Sequence, residues 1–267
     1  MNCLTIILIY FIFFIFGLIF GSFLNCLVYR LANDKKISGR SFCPKCKTKI
    51  KWFDNIPLIS FLFLKGRCRA CQEKISWQYP LIELTMGLLF LLPLLKANLS
   101  LSGFLFEKNF IIEIFQDWLI YFVLVFTFIY DIKYLEVSDL VIFSSGALIL
   151  ILNLFLKQNH ILAWLKPTLF AMLVAFLFFL LQYLFTKGKG IGLGDLRIGL
   201  FMGLVLGHWR FLFLALVFAY LIGSFVSLAL IVLKKKSFKS QIPLGPFLTI
   251  GTFLTLFFGE KIINFYF

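Results

Sequence analysis

Two short cysteine pairs, Cys43-Pro-Lys-Cys46 and Cys68-Arg-Ala-Cys71, are separated by 21 residues. Each Cys-x-x-Cys can present two thiolates to one tetrahedral Zn²⁺, and the stretch between them is long enough to bring both pairs to a single ion. Four thiolates close the coordination shell, so such a metal shapes the segment and leaves no position for a catalytic water. Two other uses of paired cysteines compete. Disulfides need an oxidising compartment, against which the charge pattern argues. A redox dithiol needs one pair on a thioredoxin-like unit, and none is apparent. Cys3 and Cys26 lie in or beside an apolar run and suit a small apolar role.

The second group with chemical potential is acidic. Of twelve acids, Glu83, Asp131, Asp139 and Asp195 stand at the ends of apolar stretches, where an unpaired carboxylate is costly to bury. Asp195 follows Gly188-Lys-Gly190-Ile-Gly192-Leu-Gly194, a run that frees the backbone for positive φ and lets a neighbour come close. Two such carboxylates on one membrane face, from helices that pack together, form an aspartic protease pair: one ionised to activate water, one protonated to polarise the scissile carbonyl. Plainer roles stand beside this one. Asp139 and Asp195 also suit helix N-caps, and Asp131 alone suits an ordinary interfacial charge. Other hydrolytic devices are missing from the sequence: no Gly-x-Ser-x-Gly, no His-Glu-x-x-His, and only His160 and His208 as histidines.

The elements that must position these groups are membrane helices. The chain has 267 residues, 61% of them hydrophobic and only 14% charged, with 37 phenylalanines. Apolar segments lie near residues 4–24, 81–95, 110–130, 140–156, 162–185, 196–207, 211–233 and 243–259, predicting an all-α polytopic membrane protein with about eight transmembrane helices. The segment 196–207 is short and carries Arg197, so it must pack against other helices, dip partway, or merge with the loop before it.

Residues 4–24 are expected to be a retained first span, because no basic region precedes them. Twelve Lys and Arg fall between Arg30 and Lys74, which places the cysteine loop, between the first and second helices, in the cytoplasm and the N-terminus outside. Carried along eight spans, this orientation puts 20 of the 26 Lys and Arg inside and 6 outside. The net charge of +14 is then mainly an orientation signal, and no nucleic-acid partner is expected.

Gly17-Leu-Ile-Phe-Gly-Ser-Phe-Leu-Asn25 with Tyr29-Arg30-Leu31, the double Cys-x-x-Cys loop, Asp54-Asn-Ile-Pro57, Leu64-Lys-Gly66-Arg-Cys68 and Tyr79-Pro-Leu-Ile-Glu83 follow one another in order. Gly192-Leu-Gly194-Asp195 and Pro243-Leu-Gly-Pro246-Phe-Leu248 complete the series. Together they resemble the type IV prepilin peptidases, a family of Gly-x-Gly-Asp intramembrane aspartic proteases, over most of the chain.

That resemblance implies Asp131 and Asp195 as the catalytic pair, with Gly192 and Gly194 supporting the second. It implies a first span over 1–30, a cysteine loop over 31–80 associated with N-methylation, and a peptidase domain over 81–267. Gly66 and Glu83 belong with the methyl-transfer half, S-adenosylmethionine is the methyl donor, and Cys43, Cys46, Cys68 and Cys71 hold one structural Zn²⁺. The substrates are type IV prepilins or pseudopilins, cut and then methylated at the new N-terminus, at the bacterial inner membrane. Ser138, Gln78 and Arg197 depart from the proline, arginine and lysine usual in the family. Methyl transfer rests on the resemblance alone. Two alternatives remain: a peptidase without methyl transfer, and a non-enzymatic membrane zinc module or proton-coupled transporter.

Overall fold

The computed structural model describes residues 3–96, 108–188, 190–234 and 242–266. Lys189, Lys235, Lys236 and Lys239, four of the lysines assigned to the inner face, lie outside the described residues. Nine α-helices occur among them: α1 (Cys3–Leu31), α2 (Ile59–Phe63), α3 (Gln78–Lys96), α4 (Lys108–Tyr134), α5 (Asp139–Leu156), α6 (Ile161–Thr186), α7 (Leu193–Leu206), α8 (Trp209–Val232) and α9 (Gly245–Tyr266). No strand is present there, only two isolated bridges, so the all-α expectation is met.

Seven of the helices, all but α2 and α7, are long and apolar enough to cross a membrane. The eighth expected span, 196–207, is α7. At 14 residues it is about 21 Å long, short of a bilayer's roughly 30 Å hydrocarbon core. Its side chains explain how it is tolerated: Ile198, Gly199, Phe201, Met202, Gly203, Leu204 and Leu206 are all buried, so α7 sits among other helices rather than against lipid. Gly207 ends it in a left-handed conformation, φ +67°.

The chain forms two compact units, Met1–Phe122 and Val123–Phe267, with the division inside α4. In the first, α1 and α3 pack closely because Gly17 and Gly21 of α1 face α3: a Cβ on Gly21 would stand 2.7 Å from the Cα of Glu83. Small residues at such a crossing let two backbones approach where lipid provides no hydrophobic drive for association. Farther along, Trp118 of α4 stacks on Phe90 of α3 with ring centroids 4.6 Å apart and donates its indole N–H to the Phe90 carbonyl at 3.0 Å. The indole donor is thereby satisfied in an apolar setting.

The second unit is centred on Phe179, Ile198, Met202, Leu212, Ala215, Ala219 and Leu248, contributed by α6, α7, α8 and α9. Polar residues along its helices satisfy themselves locally: Thr252 and Thr255 of α9 donate to the carbonyls four residues back, at 2.8 and 2.9 Å.

Candidate functional site

The cysteine pairs occupy two hairpins of the same construction. One is closed by an antiparallel bridge between Phe42 and Lys49, the other by a bridge between Arg67 and Lys74. In the first, Cys43 N–H donates to Thr48 O at 3.0 Å and Lys47 N–H to Cys43 O at 2.9 Å. In the second, Cys68 N–H donates to Glu73 O at 2.8 Å and Gln72 N–H to Cys68 O at 2.9 Å. Lys47 and Gln72, each following the second cysteine of its pair, take left-handed φ values of +60° and +59°.

All four Sγ atoms lie within 4.8 Å of one another, with Cys43 and Cys71 3.9 Å apart. A tetrahedron with Zn–S bonds of 2.3 Å has sulfur atoms about 3.8 Å apart, so the four residues fit a metal ion of that kind. Thiolate character is already unequal among them. Hydrogen bonding from Thr48 brings the Cys46 thiol down to about 6, and the backbone N–H of Cys71 lowers Cys68. The N–H of Glu73 pulls Cys71 down, but desolvation and its three thiol neighbours outweigh it and push it up to about 11. Four adjacent thiolates repel one another, and a cation removes that conflict.

Ion pairs tie the module together. Lys45 of the first hairpin meets Glu73 of the second at 3.4 Å. Arg69 clasps Asp54 with two bonds of 2.6 and 2.8 Å, holding the Asp54 carboxyl below its ordinary range. Gly66 takes φ +67°, and a Cβ there would meet the Phe61 ring at 3.1 Å. It closes α2 through its N–H to Phe61 O (2.9 Å) and accepts from Ile75 N–H (2.7 Å). Glu83 is buried in the second turn of α3, where its carboxylate accepts from Leu58 N–H at 2.8 Å and bonds Ser22. Gln78, at the first position of α3, reaches Asn25.

In the second unit, Asp131 lies one turn before the end of α4 and is only 7% exposed. Asp195 stands in the first turn of α7, half-buried, close enough for its charge to act on Asp131. Each has one oxygen fixed by a backbone N–H: Gly245 donates to Asp131 Oδ2 at 2.8 Å, and Gly192 to Asp195 Oδ2 at 3.0 Å. The second bond returns the Asp195 side chain to the N-cap residue of α7, Gly192, whose carbonyl accepts the Asp195 N–H at 3.2 Å, so Asp195 supports the N-terminus of α7 from its third position without being the N-cap.

Within the glycine run Gly188 takes the expected positive φ, +74°, whereas Gly192, with φ −87°, and Gly194 do not. Close approach is what the run's last glycine provides. A Cβ on Gly194 would stand 2.7 Å from Val137 Cγ2, so the chain leaving α4 is packed directly on the first turn of α7. Asp139 corrects another expectation. Ser138 holds the N-cap position of α5, and Asp139 instead forms an ion pair of 2.5 Å with Arg197.

Family comparisons divide along the same two regions. Residues 15–97 match the bacterial peptidase A24 N-terminal domain, and residues 118–228 match the type IV leader peptidase family. The prepilin leader peptidase/N-methyltransferase of Bacillus subtilis (strain 168) is 30% identical over 256 residues, covering 96% of each chain. The chain belongs to the type IV leader peptidase family. The Aeromonas hydrophila protein of the same name is 29% identical over 281 residues, 95% of this chain and 92% of that one. A Klebsiella pneumoniae relative of that name is 50% identical over 86 residues. No solved structure matches the chain.

Within this leader peptidase, three contributors were not apparent from sequence spacing. Gly245, 114 residues from Asp131, touches its carboxylate. Arg30 is buried at the end of α1 and donates to the carbonyls of Ile37, Gly39 and Arg40, pinning the start of the cysteine loop. Tyr220 donates to Gln182 at 2.9 Å and borders a cavity of about 240 Å³ lined by Gly223, Ser224, Pro243 and Phe247. A signal for Gly245 existed in the Pro243-Leu-Gly-Pro246 motif. Arg30 stood in the Tyr29-Arg30-Leu31 motif, and Tyr220 depends on contacts that no local pattern encodes.

Proposed function

We propose that this protein cleaves the leader peptide of type IV prepilins or pseudopilins by aspartic proteolysis and methylates the new N-terminus. The observation that carries the reading is that Asp131 and Asp195, on separate helices of the second unit, lie close enough for the charge of one to act on the other, with the Gly245 N–H bonded to Asp131. Two carboxylates that sense each other share a proton: one takes a proton from water while the other donates to the carbonyl oxygen of the scissile bond. Water adds to the carbonyl carbon, and the amide nitrogen leaves protonated as the C–N bond breaks. Gly245 N–H and Gly192 N–H hold one oxygen of each carboxylate, and the reading assigns the other oxygens to the water and the proton.

The double name of the relatives supports the second activity. In this reading Cys43, Cys46, Cys68 and Cys71 hold one structural Zn²⁺, which fixes the loop and takes no part in bond making. S-adenosylmethionine supplies the methyl group. When bound, it would give its methyl group to the substrate's amine once that amine has lost its proton, and the Glu83 carboxylate, buried in α3, is of complementary sign to its cationic sulfonium. The excess of basic residues between Arg30 and Lys74 supports a cytoplasmic loop.

The test is incubation of the purified protein in detergent with a prepilin and the methyl donor, followed by mass spectrometry of the product N-terminus. Cleaved and methylated product is expected. An uncut prepilin with the wild-type chain refutes the peptidase, and a cut product without methyl refutes the second half alone.

A further inference from the structure

The short helix α2 turns its apolar side outward. Ile59, Leu62 and Phe63, at i, i+3 and i+4 on one face, are 50%, 71% and 83% exposed, while Ser60 between them is buried. Trp52 and Trp77, on either side in sequence, are 75% and 68% exposed, and Trp77 packs its ring against Phe61 at 4.9 Å. Such a concentration of large apolar groups is unfavourable in water and marks a surface with a partner.

Position along the membrane identifies that partner. Glu83 is the sixth residue of α3, about 7.5 Å along the helix axis from its start. Its carboxylate accepts the Leu58 N–H immediately before α2. Even with the lean of helical side chains toward the N-terminus, this bond draws the start of α2 level with the first turn of α3, itself the start of a membrane-length apolar segment. A solvated loop would stand clear of that level. The flanking charges agree: Lys51, Lys65, Arg67 and Lys74 are exposed, whereas Asp54 is occupied by Arg69 and Glu83 by Leu58.

We propose that α2, with Trp52 and Trp77, is an interfacial anchor that seats its Ile59–Leu62–Phe63 face at the headgroup and acyl boundary of anionic phospholipid. Trp rings belong at that boundary, an apolar helix face enters it shallowly, and neighbouring Lys and Arg add attraction to anionic headgroups. The Gly66 turn joins α2 directly to the second cysteine hairpin, so the anchor sets the height of the metal module above the bilayer. This inference depends on α1 and α3 spanning the membrane and is independent of the catalytic reading.

Full-length, zinc-loaded protein carrying a benzophenone amino acid in place of Phe63, Trp52 or the exposed Arg40 is reconstituted into nanodiscs of phosphatidylcholine with phosphatidylglycerol. Illumination should give lipid adducts at 63 and 52 several-fold above position 40, with a lower yield in discs of phosphatidylcholine alone. Zinc content confirms folding of each variant. Lipid adducts at 63 and 52 no greater than at 40 overturn the proposal. So does crosslinking at 63 only to a second copy of the chain, or transfer of the adduct to added prepilin, which would assign the face to substrate. Equal yields in neutral discs overturn the anionic component.

Discussion

At the residue scale, the two aspartates and their backbone donors make sharp predictions. Asp131→Asn and Asp195→Asn each keep shape but remove proton exchange, so each should lower cleavage of a prepilin by several orders of magnitude, and the double variant should be little worse. An Asp131→Asn enzyme that cuts at near wild-type rate would remove Asp131 from the pair. Gly245→Ala places a Cβ 2.5 Å from Asp131 Oδ2 and 3.1 Å from Ile198, an overpacking that costs about 1–3 kcal/mol and displaces the Asp131 carboxylate. Its cleavage rate should fall sharply while the protein still purifies as a folded monodisperse species. Asp139→Asn breaks only the pair with Arg197, which is partly solvated and worth under about 1 kcal/mol. Activity should survive within a factor of about ten, by the same cleavage assay.

At the element scale, the cysteine hairpins should depend on their metal. Cys68→Ser removes one of four donors, and metal analysis should show zinc falling well below one per chain, with methylation lost before cleavage. Because thiolates are the ligands, acid competes with the metal. Zinc should become easier to strip as pH falls, since protons compete for all four sulfurs, read by a chromogenic chelator. Gly66→Ala separates geometry from metal binding. It forces an L residue into φ +67° beside Phe61, at a cost of about 1–2 kcal/mol. Zinc should remain, since no ligand is touched, while the turn between α2 and the second hairpin loosens and methylation declines.

At the scale of the whole molecule, the prediction concerns orientation in the membrane. Reporter fusions after Lys74 or Lys133 should report the cytoplasm, and one after Lys157 the outer side, because basic residues in short loops are retained inside. With α7 too short to cross unaided, a reporter placed after Lys187 and one placed after Gly207 decide whether it contributes a crossing. The same side for both would leave seven crossings, and opposite sides would restore eight.

Much of this protein is legible in its sequence because the decisive signals are local or compositional. Apolar runs long enough for a bilayer specify helices, since backbone groups in lipid must be satisfied within the segment. Cys-x-x-Cys is likewise local: four residues suffice to turn two thiolates toward one point, and the two hairpins of the structure have that form. Position at the ends of apolar stretches made candidates of Glu83, Asp131, Asp139 and Asp195, and the family resemblance alone chose Asp131 with Asp195. Partnership is another matter. Spacing along the chain could not say that Gly245 would donate to Asp131 across 114 residues, that Asp139 would turn to Arg197, or that Gly194 would admit Val137. Length and Arg197 flagged α7 as unable to cross lipid unaided, but hydropathy could not choose among packing, a partial dip and the loop, and the structure buries its apolar side chains against protein. Hydropathy reports only the cost of leaving a side chain in water, whereas burial in lipid and burial against another helix satisfy it equally. Only packing, where small residues let some backbones approach and larger ones hold others apart, decides between them.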